Sequence, residues 1–595
     1  MYTEFEIREL PLSLVSIRDK VTNFLSESGL RLEDVDRYFG IFHIDDDEIL
    51  AAGGFKENLI KCIAVNQNHR DQQFANRLIS HLINTIISNG YNNVKVFTKP
   101  SNTNIFNSLG FVTIATSKEA VLMENSPNGI SKYKTYLSQY KQDGINGAIV
   151  MNANPFTKGH RYLIEKSAEK VDNLYVIAVK EEKSQFSYWE RFNMIKDGCK
   201  GLNNVTICEG SEYIISSSTF PTYFIKELSH ASVAQIELDL NIFVKHIAPA
   251  LNISKRFVGS EPIDSLTREY NSQMKRILPT NNIEVEEIER MCVREESNIG
   301  VDNVVSASAL RKYLNEGSFK KAASLAYPTT IPYLISQLSI RALERELYTT
   351  PKPGLVDKNN NGSHRDMNIS LMQKSIDTLH PFFTKLSLIG YNKELPDSKD
   401  IIEIGVAAEK EMLKATNNVN THKGALFSIG LAIVSASHLH YNGTHFHFNG
   451  KSIEKGEELS QTIAKIAHSM PKGVSTHGES VRNRYNVKGA IDEAQRGYKE
   501  LFECWLPYYL KNIDDKYVNQ KTLSLIMSKL EDSNVYYRGG TEGAELVKKR
   551  GKELLEDYSD ERAESIDREF IAKNLSPGGC ADMLSATIFI GSLIS

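Results

Sequence analysis

The first 125 residues combine short apolar runs with one longer segment in which apolar residues recur at helical spacing. Ile49–Phe55 and Ile60–Val65 have the length of neighbouring strands in a hairpin, and Val94–Phe97 has that of a third strand. Apolar residues from Phe74 to Ile87 follow the period of a helix. The pattern therefore predicts a small α/β unit over residues 1–125.

The pattern changes after a polar, tyrosine-rich stretch at 126–143, which we interpret as a connector. An apolar strand at Gly147–Met151 leads into a glycine-bearing turn, a helical run at 161–170 and a second strand at Leu174–Val179. This order predicts a βαβ unit of a parallel sheet, within a domain of residues 144–335. Ligands of such sheets bind at the carboxyl ends of the strands, where this turn lies.

The last part of the chain has long amphipathic stretches, such as 401–414 and 425–439, separated by glycine- and histidine-rich loops. Segments with strand period are almost absent there, so we predict an all-α domain over residues 340–595. Pro328 and Pro332 suggest a linker before it.

Composition narrows the class of protein. A chain of 595 residues implies several domains, and a net charge of -4 gives no basic field for nucleic acid. The six cysteines are scattered without a CxxC pair, which favours reduced thiols. The first residues do not have the basic and apolar regions typical of a signal peptide, and no apolar run approaches the roughly 20 residues of a membrane span. We expect a cytoplasmic protein that binds neither membrane nor nucleic acid.

The run Arg70–Ala75 resembles the pyrophosphate loop of GNAT acetyltransferases, in which backbone N–H groups hold the anion. The resemblance implies a GNAT-like α/β front domain. Gln73 occupies the position of the first glycine, and its side chain obstructs close approach of the backbone to phosphate. We therefore expect a docking or structural module rather than a working acetyltransferase.

The turn after Met151 contains Thr157, Gly159 and His160 in the spacing Thr-Lys-Gly-His. The following helix offers free backbone N–H groups to phosphates, and His160 can hydrogen-bond an α-phosphate as charge develops on it. Asn154 and Phe156 are further candidate nucleotide contacts. The motif resembles the signature of the nucleotidyltransferase superfamily, which implies a Rossmann-like α/β domain.

Ser306, Ser308 and Arg311 have the spacing Ser-x-Ser-x-x-Arg. The serines can cap the next helix, and Arg311, one turn further, can bind pyrophosphate with its planar fork. The element resembles the one that holds the outgoing phosphates in the same superfamily.

Three further motifs, Ser187–Arg191, Gly259–Pro262 and Thr267–Asn271, extend the resemblance. Together with the turn they make residues 1–335 similar to the citrate lyase ligase family. That resemblance implies ATP-dependent activation of acetate to acetyl-adenylate, with release of pyrophosphate. The acetyl group then passes to the prosthetic thiol of the citrate lyase acyl carrier subunit.

The resemblance also implies roles for individual residues. Thr157 and His160 would hold the phosphates, Arg311 would hold pyrophosphate with Mg²⁺, and Lys180 or Arg191 would balance charge. The nucleotide contacts would include Gly259 as well. In the same loop, Glu261 and Asp264 are either neighbours of substrate or metal, or simply solvated carboxylates.

Six loops of the C-terminal region pair glycine with ionisable residues, an arrangement that suits a nucleotide triphosphate with Mg²⁺. The candidate phosphate ligands are the basic residues Lys352, Lys423 and Arg538. The candidate metal ligands are Asp357, Asp366 and Asp582, and the candidate hydrogen-bond donors are His364, His422 and His477.

The order of these loops resembles the triphosphoribosyl-dephospho-CoA synthase family over residues 340–595. The resemblance implies that ribose C1′ of ATP is joined to the 2′-hydroxyl of dephospho-CoA, with release of adenine. A carboxylate near C1′ and a base for the hydroxyl would assist this step. The candidates for these roles are Asp357, Asp366, Glu409 and Glu493. Ile491 stands where the family pattern has arginine, and Lys488 or Arg496 could replace its charge.

The histidines 438, 440, 445 and 447 are spaced like metal ligands, but the residues between them predict a solvated loop. Two alternatives to a two-enzyme chain stay open. One is an adenylyltransferase for a pantetheine-like substrate fused to the synthase. The other is a scaffold with an inactive half, which Gln73 and Ile491 would favour.

Overall fold

The computed structural model describes residues 5–594 except 45–46, 70–71, 127, 182–183, 216–219, 226–227, 262–263, 295–301, 451–452, 472–483 and 486. The chain divides into two compact units, residues 1–307 and residues 308–595. Each unit is described by itself. His477 and the run Arg70–Asp71 lie outside the described residues.

The front of the first unit is a seven-stranded sheet in the order β1-β2-β3-β4-β5-β7-β6, in which only β4 and β5 pair in parallel. Three helices accompany it. The predicted hairpin, helix and third strand are confirmed as β3 with β4, α2 and β5. The elements are β1 (Phe5–Glu9), α1 (Val15–Glu27), β2 (Arg37–His43), β3 (Ile49–Lys56), β4 (Leu59–Val65), α2 (Gln72–Ser88), β5 (Val94–Thr98), α3 (Thr103–Ser108), β6 (Val112–Thr116) and β7 (Val121–Asn125).

The stretch predicted to be a connector contains a helix, α4 (Gly129–Ser138). Ile130, Tyr133 and Leu137, spaced three and four residues apart, are buried on one face of it. The tyrosines therefore pack into the unit and do not form a solvated link.

The second sheet of this unit has five parallel strands in the order β10-β9-β8-β11-β12. The predicted βαβ unit is confirmed, and the strand order reverses between β8 and β11, the usual place for a ligand crevice. The elements are β8 (Asn146–Met151), α5 (Lys158–Ala168), β9 (Asn173–Ala178), α6 (Tyr188–Gly198), β10 (Val205–Cys208), α7 (Leu228–Ile242), α8 (Ala248–Leu251), β11 (Ile253–Gly259), α9 (Ser265–Ile277) and β12 (Glu284–Ile288), followed by the pair β13 (Cys292–Arg294) and β14 (Asp302–Val304).

The second unit is helical, as predicted, and within its described residues a two-stranded hairpin is the single exception. Its helices are α10 (Ala307–Asn315, shared with the end of the first unit), α11 (Phe319–Leu325), α12 (Ile331–Leu347), α13 (Ile369–Gly390), α14 (Ser398–Ala415), α15 (Lys423–Tyr441), α16 (Gly456–Ser469), α17 (Ala490–Gln495), α18 (Leu506–Lys511), α19 (Val518–Met527), α20 (Ser533–Glu556), α21 (Asp560–Ala572) and α22 (Gly578–Ile594), with β15 (His447–Phe448) and β16 (Ile453–Glu454) between α15 and α16.

The centre of this unit is formed by α12, α13, α15 and α22. Of these, α15 and α22 are apolar on nearly all sides because neighbours surround them, whereas α12 and α13 also carry charged residues. Pro332 lies in the first turn of α12, so the predicted linker is the start of a core helix, where proline is tolerated. Among the described helices, α15 alone is long and apolar enough to span a membrane, but two-thirds of it is buried like a core helix.

Candidate functional sites

The turn between β8 and α5 places Thr157 and His160 at the carboxyl edge of the parallel sheet. Thr157 is the N-cap of α5, and its hydroxyl accepts a hydrogen bond of 3.3 Å from the backbone N–H of His160. The first turn of α5, with its backbone N–H groups, thus lies at the sheet edge. The turn thus has the form of an anion site.

His160 is held in one tautomer by Thr157. The backbone N–H of Thr157 donates a hydrogen bond of 3.0 Å to Nδ1 of His160, and the Thr157 hydroxyl lies 2.9 Å from the same nitrogen. An N–H can only donate, so Nδ1 must be an acceptor without a proton. The ring proton of neutral His160 is therefore on Nε2. The Phe156 ring stacks on the imidazole at 5.8 Å and fixes its plane.

Gly159 lies between the two motifs predicted for this site. A Cβ atom at Gly159 would come within 3.0 Å of the carbonyl oxygen of Val305, the residue before Ser306. The chain that leads to Ser306 therefore crosses directly over the first turn of α5. The close approach of Val305 explains the glycine, and a common role of Gly159 and Ser306 in binding phosphate stays a prediction.

Arg191 is fully buried and supports the turn from behind. Its guanidinium donates to the carbonyl oxygens of Asn152 at 2.8 Å, Val179 at 3.0 Å and Glu181 at 2.7 Å. These bonds tie the ends of β8 and β9 together. The structure thus gives Arg191 a supporting position, whereas the sequence suggested a charge facing the nucleotide. Lys180, the other candidate, is exposed just after β9.

The other residues that the sequence predicts for the ligase site differ from one another in burial and in hydrogen bonding. Phe156 is fully buried, and the Asn154 side chain accepts a bond of 3.3 Å from the backbone of Phe186. Gly259 ends β11, with open space where a Cβ would stand. Glu261 pairs with Arg290, and Asp264 caps α9, so neither is a simple solvated carboxylate.

Ser308 and Arg311 lie on α10 within the second unit. The Arg311 guanidinium donates to the Ser308 hydroxyl at 3.4 Å. Burial lowers the pKa of Arg311 from its usual value, yet that value is so high that the guanidinium stays charged. Binding of pyrophosphate by Arg311 stays a prediction.

The second unit contains a cavity of about 400 Å³ lined by most of the residues predicted from the C-terminal loops. The predicted residues on its wall are Lys352, His364, His422, Lys423, Glu493, Arg538 and Asp582. The starts of four helices, α15, α17, α20 and α22, also line it. Helix N-termini carry partial positive charge and free N–H groups, so together they favour a polyanion.

Buried charges form one part of the cavity wall. Lys352 donates to Glu346 at 2.5 Å, and both side chains are almost fully buried. Burial raises the pKa of Asp532. The pKa of Asp582 is raised well above its usual range by burial and then by repulsion from Asp532 and Glu346. Asp532 also accepts from the backbone N–H of Cys580 at 3.0 Å and so joins the starts of α20 and α22.

His422 is buried beside two hydroxyl groups at the start of α15. The Thr421 hydroxyl donates to Ser375 at 2.7 Å, and the Ser375 hydroxyl lies 2.8 Å from Nδ1 of His422. Nε2 of His422 is buried on the cavity wall, where no protein group among the described residues is its hydrogen-bond partner. Burial, and next the charge of Lys352, lower the pKa of His422 to about 3. His422 is therefore neutral.

His364 and Arg538 form a pair at another part of the wall. Nε2 of His364 lies 2.8 Å from the Ser576 hydroxyl, and Arg538 lies 3.4 Å from Nδ1. Burial and then the charge of Arg538 lower the pKa of His364. Arg538 also donates to the carbonyl oxygen of Ser363 at 2.9 Å, which orders the loop.

The exposed cations of the cavity are already paired with carboxylates. Lys423 binds Glu409 at 2.6 Å, and Lys488 lies 4.0 Å from Glu493. Lys488 is on the cavity wall, whereas Arg496, 3.5 Å from Glu493, is not among the lining residues. Lys488 is thus the better placed of the two to compensate for Ile491.

Two of the predicted metal ligands are not on the wall. Asp357 is buried, and its carboxylate accepts from the backbone N–H groups of Lys352 at 2.8 Å and Asn359 at 2.7 Å. It therefore braces its own loop. Asp366 is exposed, near enough to influence His364. No group of three or more metal-ligating side chains occurs in the described part of the chain, histidines 438 to 447 included.

Sequence reasoning missed Glu346 and Asp532. Asp532 begins one of the glycine-bearing loops, and its position before a helix start was a detectable capping signal. Glu346 lies inside an amphipathic helix, where nothing in the sequence separates it from an ordinary solvated residue.

Comparison with known proteins identifies the chain as an enzyme of two parts, a ligase and a transferase. Residues 146–334 match the family described as citrate lyase ligase C-terminal domain, and residues 332–595 match the ATP:dephospho-CoA triphosphoribosyl transferase family. The chain belongs to both families, one in each half, and is a fusion of both activities of citrate lyase maturation.

Individual relatives cover each half almost completely. The citrate (pro-3S)-lyase ligase of Haemophilus influenzae is 37% identical over 316 residues, which are 53% of this chain and 94% of that protein. The Klebsiella pneumoniae ligase is 38% identical, covering 53% and 92%. The 2-(5''-triphosphoribosyl)-3'-dephosphocoenzyme-A synthase of Pectobacterium atrosepticum is 34% identical, covering 48% and 95%. The solved structure of Thermotoga maritima TmcAL bound with alpha-thio ATP aligns with 61% of this chain and 97% of that one, at 11% identity and a TM-score of 0.20.

Proposed function

We propose that the first half uses ATP to acetylate the prosthetic thiol of the citrate lyase acyl carrier subunit, by way of acetyl-adenylate, with release of AMP and pyrophosphate. The second half makes 2'-(5''-triphosphoribosyl)-3'-dephospho-CoA from ATP and dephospho-CoA and releases adenine. One half thus makes the precursor of the arm that the other half acetylates. We place the enzyme in the cytoplasm, where these substrates occur.

A histidine at the start of a helix carries the proposal in each half. Nδ1 of His160 accepts from the backbone N–H of Thr157, which leaves Nε2–H as a fixed donor. Such a donor stabilises charge that develops on a phosphate without itself exchanging a proton. In the second half, Nε2 of His422 is buried on the cavity wall without a protein partner among the described residues and is the corresponding candidate contact for the substrate.

The ligase half is proposed to be a Rossmann-like nucleotidyltransferase domain behind a GNAT-like front domain, with boundaries near 125, 143 and 335. The strand order β10-β9-β8-β11-β12, which reverses beside the turn at Thr157, supports this assignment. Acetate would attack the α-phosphate held by His160 and the first turn of α5. Positioning and charge neutralisation would supply most of the rate, and Ser306, Ser308 and Arg311 would hold pyrophosphate.

In the synthase half, the helix starts with Lys352, Lys423, Lys488 and Arg538 would bind the triphosphate. Mg²⁺ would neutralise part of its charge. Asp582, with the neighbouring Asp532, fits a site of one or two carboxylates plus substrate phosphates better than Asp357 and Asp366 do. Glu493 remains the candidate base for the attacking hydroxyl, since its carboxylate lines the cavity.

The test measures two products from one preparation. Protein with ATP and dephospho-CoA should release adenine, and protein with ATP, acetate and reduced carrier should release AMP. A pantetheine-type adenylyltransferase would give pyrophosphate without free AMP, since the adenylyl group stays on its product. If neither adenine nor AMP is released, the result supports a scaffold and contradicts the proposal.

A further inference from the structure

A loop joins the carboxyl edge of the parallel sheet to the front sheet. We call its described residues, 209–215 and 220–225, the bridging loop. It follows β10, and Gly210 passes so close to the end of β9 that a Cβ there would meet the carbonyl oxygen of Ala178. The backbone N–H of Gly210 also donates to the Tyr188 hydroxyl at 3.0 Å. The loop thus begins at the sheet edge that holds the ligase site.

The first part of the bridging loop is fixed to the front sheet by buried charges. Glu212 pairs with Lys95 of β5 at 2.6 Å and accepts from Asn93 at 2.9 Å. The next residue, Tyr213, donates to the buried carboxylate of Glu124 on β7 at 2.5 Å. Lys95 also lies 4.5 Å from the centre of the Tyr213 ring. Loss of Glu212 would leave the buried Lys95 without its ion-pair partner.

The second part is fixed by a set of directed backbone bonds. Glu33 accepts from the backbone N–H of Thr222 at 2.8 Å and from its hydroxyl at 3.0 Å. Arg31 donates to the carbonyl oxygens of Thr222 at 2.7 Å and Ile225 at 3.3 Å. The loop therefore has a defined register on the front sheet.

Tyr223 fills the place where β4 and β5 separate. The two strands pair only at Leu59 with Lys95 and at Ile60 with Val96. Just beyond, the Tyr223 hydroxyl donates to the carbonyl oxygen of Phe97 at 3.4 Å and is hydrogen-bonded to the backbone of Cys62. Tyr223 is 5% exposed, and Phe220 packs edge-on against Phe97 at 5.4 Å. Tyr223 of the bridging loop thus fills the gap between β4 and β5 in the front sheet.

We propose that the front sheet is a non-catalytic brace of the ligase site, and this inference rests on the proposed function. The nucleotide crevice is expected where strand order reverses, between β8 and β11. The carboxyl ends of β9 and β10 lie on the other side of β8. We therefore assign them to the second substrate, the thiol arm of the carrier. The bridging loop forms the wall for the carrier's thiol arm there, and Glu33, Glu212 and Tyr223 are positioning residues.

The test compares two buried tyrosines of the same region in the full chain. Tyr223→Phe removes the hydroxyl that joins the loop to the sheet, whereas Tyr38→Phe removes one that bonds Cys62 within the sheet at 2.9 Å. We expect Tyr223→Phe to raise the KM for the carrier thiol about fivefold, the equivalent of one hydrogen bond. The KM for ATP and the release of adenine should stay unchanged. Tyr38→Phe should lower the Tm without this change in KM.

If Tyr223→Phe and Tyr38→Phe have the same KM for the carrier, the proposal that the front sheet braces the ligase site is wrong. Tyr223→Ala should give a larger effect, and if it fails to fold, Tyr223→Phe and Glu33→Gln decide the question. Absence of AMP from the wild-type enzyme would contradict the proposed function instead, so the two failures are distinguishable.

Discussion

The backbone N–H of Thr157 donates to Nδ1 of His160, three residues further along the same turn. This bond orients the imidazole and assigns its proton to Nε2 before any substrate is bound. The cap of α5 and the orientation of the histidine thus come from the same residue. A group held in this way loses little freedom when it binds a phosphate.

We expect the function of His160 to depend on its Nε2–H and not on proton transfer. His160→Ala should lower the rate of AMP formation by about 100-fold, the usual effect of removing one donor to a developing charge. His160→Gln places an amide N–H near the position of Nε2 and should recover part of the rate, whereas His160→Asn should not. The measurement is AMP release at saturating ATP.

Adenine release by the same three variants is the control, because His160 belongs to the other unit. Equal loss in the Gln and Asn variants would argue against the Nε2–H donor. Loss of adenine release would show that the substitution damages the whole chain.

Gly159 and Gly405 differ in the space around them. A Cβ at Gly159 would stand 3.0 Å from the backbone of Val305, while at Gly405 it would meet nothing within 4 Å. Gly159→Ala should therefore displace the chain before Ser306 and reduce AMP formation at least about tenfold, because small misplacements have large effects on rate. Gly405→Ala should leave AMP formation unchanged. Equal rates of AMP formation in the two variants would contradict the close approach.

Gly424 and Gly405 form a similar pair in the second unit. A Cβ at Gly424 would lie 1.9 Å from the Asp582 carboxylate, whereas Gly405, inside α14, has open space around it. Gly424→Ala should push the start of α15 away from Asp582 and abolish adenine release while AMP formation continues. Gly405→Ala should be neutral or stabilise by about 0.5 kcal/mol, since alanine favours helix. Retained adenine release in Gly424→Ala would show that this contact does not shape the site.

Much of the fold could be predicted from periodicity. The hairpin of β3 and β4, the βαβ unit and the helical second half all follow from regular spacing of apolar residues. The helix α4 was missed because its three buried residues are separated by lysines and polar residues typical of a connector. Burial of tyrosines there depends on partners distant in the sequence, which spacing does not show.

The positions of the candidate sites could be predicted from the sequence better than the roles of their individual residues. The turn at Thr157 could be found because helix capping and close approach require particular residues at fixed spacing. Arg191 and Asp357 were expected to face ligands, but a charged residue near the end of a strand or in a loop can equally satisfy buried carbonyl or N–H groups. The sequence does not distinguish these uses, since both need the same donor or acceptor.

Burial of neutral His422 makes the second unit sensitive to acid. Its pKa is about 3 in the folded protein against an ordinary value of 6.5, so between these values the unfolded chain binds a proton that the folded chain does not. Stability should therefore fall as pH decreases below 6.5, by up to about 1.4 kcal/mol per pH unit. His422→Gln should remove this part of the dependence. If Tm depends on pH in the same way in the wild type and in His422→Gln, His422 does not cause this part of the pH dependence.

The buried pair of Lys352 and Glu346 allows structural and catalytic effects to be separated. Lys352→Met leaves the Glu346 carboxylate buried without its cation and should cost about 3–5 kcal/mol of unfolding free energy. The double variant Lys352→Met/Glu346→Gln carries no buried charge at this place and should recover most of that stability. If Lys352 also binds the triphosphate, the double variant will still have a KM for ATP raised about tenfold in adenine release, the loss of one charge-assisted bond. A double variant with wild-type KM and restored Tm would show that the pair serves folding alone.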